Sequence, residues 1–175
     1  MFDPTIYDNL KVVLEGYLYE LDIGGRILIT NRRDIFDLAS MSREFSMEFQ
    51  TRGSSKEDSF GEIKLSTSIN DYKDEMIHGN TKEAGCEIQI FFNTKITDVK
   101  RECPYIKEQL NLIWNSRPMI KQVISYNYDV KGSMVNRISL DFNRKINEDQ
   151  IDDIPDLIDH CVQSIRFLKN LFPNH

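Results

Sequence analysis

The sequence predicts an α+β fold, a mostly antiparallel sheet of about seven strands packed with two or three helices. Three observations predict it. Runs that alternate apolar and polar residues recur through most of the chain, separated by polar turns that carry glycine. Helical patterns interrupt these runs too rarely to supply the crossovers of a doubly wound parallel sheet. A long apolar stripe of helical period closes the chain.

The first element is a hairpin over 10–38. Residues 10–14, continuing through Tyr17-Leu18-Tyr19, and residues 26–30, ending near Phe36-Asp37-Leu38, flank the turn Asp22-Ile23-Gly24-Gly25. Val, Ile, Thr and Tyr suit a pleated surface, and paired glycines permit the positive φ of a tight turn. A helix is the competing reading of residues 4–21. Asp3 then caps it, Pro4 takes its first position, and Ile6, Leu10, Val13, Leu14, Tyr17, Leu18 and Leu21 share one face. Gly16 in mid-run, the β-rich composition and the following turn favour the strand.

Residues 43–50 alternate, with Phe45, Met47 and Phe49 on one side and Glu44, Ser46, Glu48 and Gln50 on the other, a strand with one wet face. A polar loop follows near 53–60, then a strand over 62–69. Ser68 with Asp71 three residues on makes a capping box for a helix through Met76-Ile77, ended by Gly79 in the left-handed conformation. A second loop lies near 79–85. Cys86, Ile88, Ile90 and Phe92 share a face of the next strand, with Phe91 opposite. Pro104 opens a helix bearing Ile106, Leu110, Ile113 and Trp114 and ending before Pro118. Residues 120–130 and 134–142 form the second hairpin about the turn Lys131-Gly132-Ser133. Its faces carry Ile124, Tyr126, Tyr128 and Val130 on one strand, and Met134, Ile138, Leu140 and Phe142 on the other. The last helix starts near Ile154, after a turn over 148–152. Its stripe runs Ile154, Leu157, Ile158, Cys161, Ile165, Leu168 and Phe172, and the helix lies across one sheet face. A curved sheet gripping that helix can enclose a pocket.

The chain has 175 residues, 40% of them hydrophobic, which fits one α+β domain over 1–175 with a full core. The net charge of −6 disfavours nucleic acid and anionic membrane as partners. Met1-Phe2-Asp3-Pro4 has no basic signal region, no run is long and apolar enough to span a bilayer, and three scattered cysteines suit a reducing compartment. A cytoplasmic protein is expected.

No catalytic or cofactor signature is present, so no catalytic residue, metal or cofactor is assigned. The candidate metal ligands His78, His160, His175, Cys86, Cys103 and Cys161 lack the close pairing of zinc sites. Cys103, at the predicted start of a helix, is the one cysteine with a physical reason for a lowered pKa. Gly24-Gly25 is followed by no helix and reads as a turn rather than a phosphate loop. Acidic side chains interleave with Arg26, Arg32, Arg33, Arg43 and Arg52, the pattern of a mixed-charge solvated face. The tyrosine pairs Tyr17/Tyr19 and Tyr126/Tyr128 form a patch if their strands are neighbours, and tyrosine suits interfaces. With Arg137 they are the candidate ligand or partner surface. The function expected is that of a non-enzymatic binding domain whose partner is a protein or a second copy of itself, forming a homodimer. Two alternatives stand beside it. One is a small-molecule binder or enzyme with a pocket between sheet and C-terminal helix, lined by Tyr126, Tyr128 and Arg137. The other is a nucleic-acid contact through the arginine-bearing face.

Overall fold

In a computed structural model the chain runs α1 (Thr5–Ile23), β1 (Ile27–Asp37), β2 (Ser42–Thr51), β3 (Phe60–Ser68), α2 (Ile69–His78), β4 (Glu87–Ile96), α3 (Val99–Ile113), β5 (Met119–Tyr126), β6 (Met134–Asp141), a 3₁₀ turn (Glu148–Asp153) and α4 (Ile154–Asn170). Residues 4–55, 59–79 and 83–171 are described. Among them six strands form one sheet in the order β1-β2-β3-β4-β6-β5, every pair antiparallel. The α+β class stands, with six strands where about seven were expected.

The missing strand is α1. Its burial follows a helical period, not alternation: Ile6, Leu10, Leu14, Leu18 and Leu21 are buried at steps of four and three, with Tyr7 beside them. The β-favouring residues of this stretch lose to that apolar face. Gly16 lies on the exposed side of the helix, where an added Cβ would meet nothing, so its low helix propensity is outweighed by the buried apolar face. The cap proposed for this helix at Asp3 lies outside the described residues. The glycine pair does make a tight turn, but from helix to strand. The Arg26 N–H donates to the Leu21 carbonyl at 2.9 Å and Gly25 N–H to Asp22 at 3.0 Å, with Gly25 at φ +74°. That is a Schellman stop, which needs a left-handed residue at its glycine.

α2 begins at the predicted capping box, in which the Asp71 N–H donates to the Ser68 hydroxyl and the Ser68 N–H to the Asp71 carboxylate. Gly79 ends it with positive φ but with ψ −147°, outside the left-handed helical region. Part of the loop near 53–60 (56–58), part of that near 79–85 (80–82) and the end of the stripe at Phe172 lie outside the described residues. α3 starts five residues earlier than its proline implied. Asp98 caps it by accepting from the Arg101 N–H at 3.1 Å, and Pro104 falls inside the helix. Buried Glu102 accepts from the Thr97 N–H at 3.0 Å and so fixes the entry to this helix. The β5–β6 hairpin forms with Tyr126 opposite Met134, whereas a turn at 131–133 implies Val130 there; the shift of four residues keeps each side chain on its expected face. β5 stops at Tyr126 because 127–130 close a turn through Val130 N–H to the Asn127 carbonyl at 3.1 Å. Tyr128 and Val130 therefore leave the sheet.

One face of the sheet is covered. Phe45, Met47 and Phe49 of β2, Ile63 and Leu65 of β3, and Ile90 and Phe92 of β4 are buried there. α1 packs over β1 and β3, α4 over β2, β3 and β4, and α3 against β5. α4 comes so close that a Cβ on Gly61 would lie 2.8 Å from Ile165 Cδ1. An isolated antiparallel bridge, Cys86 to Ile146, ties the start of β4 to the chain entering the 3₁₀ turn. Gly85 is required beside it, since a Cβ there would meet the Ile146 carbonyl oxygen at 2.5 Å.

Candidate functional site

Where α3 ends, where β6 ends and where α4 begins, the chain leaves a cleft of about 340 Å³. Its apolar surface comes from Trp114, Phe142 and Leu157, and His160 stands among them. Trp114 and Phe142 meet edge to face with ring centres 5.7 Å apart, and the His160 ring lies 5.3 Å from that of Trp114. Both polar rings are held. Trp114 Nε1–H donates to Ser164 Oγ at 2.9 Å, and that hydroxyl donates to the His160 carbonyl at 2.8 Å. His160 Nδ1 lies 2.6 Å from the Asp156 carbonyl oxygen. A carbonyl only accepts, so Nδ1 carries a proton and donates it there.

Four charged side chains rim the cleft: Arg117 and Arg144, Asp153 and Asp156. None makes an ion pair within 4.0 Å among the described residues. Each arginine directly follows a non-glycine residue in the left-handed region, Ser116 at φ 54° before Arg117 and Asn143 at φ 50° before Arg144. Such backbone conformations are uncommon outside glycine and persist where surrounding structure imposes them. At the first turn the Ser116 N–H donates to the Asn111 carbonyl at 2.8 Å; at the second the Asn143 N–H donates to Asp141 Oδ1 at 2.8 Å.

The tyrosine patch does not form. Tyr17 and Tyr19 ride on α1, over β1 and β3, while Tyr126 ends β5 at the far edge of the sheet and Tyr128 lies in the turn beyond it. Tyr17 donates to the Asp159 carboxylate at 3.1 Å, and burial together with that carboxylate raises its pKa. Tyr126 and Tyr128 are 74% and 91% exposed. Arg137 stands on the open sheet face, its guanidinium 4.2 Å from the Phe91 ring centre and 3.2 Å from Glu62 Oε2. It lies opposite Val123 in the register. Of the five expected site residues, Tyr126, Tyr128 and Arg137 thus belong to one hairpin and its turn, and none of the five lines the cleft.

Cys103 lies in the second turn of α3, not at its start, and burial raises its thiol pKa instead of lowering it. Burial pushes Cys86 up to about 12 and raises Cys161 as well. Among the described residues no group of three His, Cys, Asp or Glu side chains gathers for a metal ion. Four of the five arginines of the mixed-charge region pair with helix acids: Arg32 with Glu15 at 2.6 Å, Arg43 with Asp8 at 2.9 Å, Arg52 with Asp22 at 2.6 Å, and Arg26 with Asp159 at 3.5 Å. No helix of the described residues is long and apolar enough to cross a membrane.

Sequence reasoning placed Trp114, Phe142 and His160 in their elements but missed the cleft they build. A signal was present. Trp114 and Phe142 each stand directly after the last residue of an element, α3 or β6, and are each followed within three residues by an arginine. Comparison with family models, with curated proteins and with solved structures finds no match for this chain.

Proposed function

We propose that this chain is a small non-enzymatic binding domain of a reducing, cytoplasmic environment, and that it works as a homodimer joined through β5. The observation that carries this is the contrast between the two sheet edges. β1 is guarded in the ways that prevent strand addition. A bulge breaks its register between Ile29 and Asn31, and two charges, Arg32 and Asp34, lie opposite covered-face residues Met47 and Phe45. Both are tied to α1, Arg32 to Glu15 and Asp34 to Lys11. β5 has no such protection. Its register with β6 is unbroken, Lys121 is its single charge, and Met119, Val123 and Tyr126 are exposed.

A second copy fits this edge by its own symmetry. A two-fold axis normal to the sheet, passing through Val123, sets Val123 against itself, Lys121 against Ser125 and Ile120 against Tyr126. No like charges meet, and the six-stranded sheet doubles. Three free thiols accord with the reducing setting. Sedimentation analysis tests the reading. The expected mass is twice the 20.5 kDa of one chain. Val123→Lys, which opposes two ammonium groups on the axis, returns it to one chain, while Ile35→Lys on the β1 edge leaves it doubled. A single-chain mass for the unaltered protein at micromolar concentration overturns the proposal.

A further inference from the structure

We infer that the cleft at Trp114, Phe142 and His160 is a binding site for a free aromatic α-amino acid. Its volume of about 340 Å³ lies within the range of small-ligand sites, which are mostly apolar with a few placed polar groups. Three aromatic rings line it, two of them locked by hydrogen bonds from behind, so a planar side chain meets a preorganised surface. The rim then selects what that ring must carry. Arg117 and Arg144 offer guanidinium groups suited to a carboxylate, and Asp153 and Asp156 offer acceptors for an ammonium group.

The balance of charge decides among ligand classes. A simple aromatic carboxylate satisfies the arginines and meets two unmatched aspartates; an aromatic amine does the reverse. A zwitterion answers both, and the four rim charges are not paired with one another. The two left-handed residues, Ser116 and Asn143, add an independent observation. Both immediately precede a rim arginine, so the conformations that cost backbone energy are the ones that set where the guanidinium groups stem from.

Trp114 is the chain's single tryptophan, so its emission reports on this cleft alone. The experiment titrates the full chain with L-phenylalanine and L-tyrosine, and in parallel with 3-phenylpropionate, which lacks the ammonium group, and phenethylamine, which lacks the carboxylate. Phenylalanine and its two analogues are read by Trp114 emission and all four by calorimetry. The expected result is saturable binding of one of the two amino acids with each half-ligand weaker by about tenfold or more, the scale of one charge-assisted hydrogen-bonded contact. Arg144→Gln lowers amino-acid affinity and leaves phenethylamine unchanged; Asp156→Asn lowers it and leaves 3-phenylpropionate unchanged. Both positions are on the rim, and circular dichroism checks that the variants fold. Absence of saturable binding by both amino acids, or half-ligands that bind as tightly as they do, overturns the inference. The readout is affinity at Trp114 and not chain mass, so it is decided separately from dimerisation through β5.

Discussion

At the scale of single residues, two glycines in one stretch have opposite physical meanings. Gly16 lies inside α1 with helical dihedrals and open space where a Cβ would be. Gly16→Ala should raise stability by about 0.5–1 kcal/mol, because the unfolded chain loses conformational freedom and the helix loses nothing. Gly25 holds φ +74° at the helix stop. Gly25→Ala should lower stability by about 1–2 kcal/mol, since a Cβ in that region crowds the following carbonyl. Urea unfolding of the two variants checks both signs, and equal effects would contradict this account of the turn. The same scale shows why the cleft was illegible in sequence. Trp114, Phe142 and His160 each satisfy a bland reading as the last apolar position of a helix, an inward position of a strand and a polar helix position. Nothing local says that 114, 142 and 160 meet. Their meeting depends on the sheet order and on the Cys86–Ile146 bridge, which are long-range.

At the scale of elements, legibility followed the length and regularity of the apolar pattern. The stripe of α4, the faces of β5 and β6 and the α2 capping box were readable because side-chain period and cap residues agreed. α1 was misread because Val12, Val13, Tyr17 and Tyr19 favour strands while the leucines keep a helical period, and tertiary burial settles such conflicts. The two readings differ sharply in what they ask of Val12 and Leu14. A strand puts them on one face, whereas α1 exposes Val12 at 69% and buries Leu14 at 1%. Leu14→Ala should therefore cost about 2–5 kcal/mol as a cavity substitution, and Val12→Ser should stay within about 0.5 kcal/mol of the parent as a surface change. Matching losses at both positions in thermal unfolding would restore the strand. α3 starts upstream of its expected position for a different reason: Pro104 reads as a start signal, but Asp98 and buried Glu102 supply a stronger one.

At the scale of the whole molecule, several buried or paired groups share one sign of pH dependence. Burial raises Cys86 to about 12 from the ordinary 9.0, and raises Cys161 and Tyr7 as well. The ion pair with Asp71 raises Lys145. In the unfolded chain the thiols begin to release protons near pH 9, while the folded chain holds them. The unfolded state is then favoured as pH rises, and the contribution that is complete below pH 9 is lost above it. Denaturant midpoints measured on either side of pH 9 should fall toward alkaline pH, by at most about 1.4 kcal/mol per pH unit for each such group. A flat profile there would contradict the burial of these thiols.

The strand order also sets a timetable for a chain made from its N-terminus. β1 through β4 form a meander that can assemble as it emerges, since each strand pairs with the one just before it. β4 then waits. Its second neighbour is β6, which starts at Met134, so α3 and β5 must both be synthesised before that edge is closed. In the interval Ile88, Ile90 and Phe92 stand on a strand with one open side and without the α4 helix that later covers them. Emerging intermediates of this kind expose unpaired strand and apolar surface together. The nascent chain should therefore depend most on chaperones, and be most prone to association, while the segment between Ile96 and Met134 is being translated.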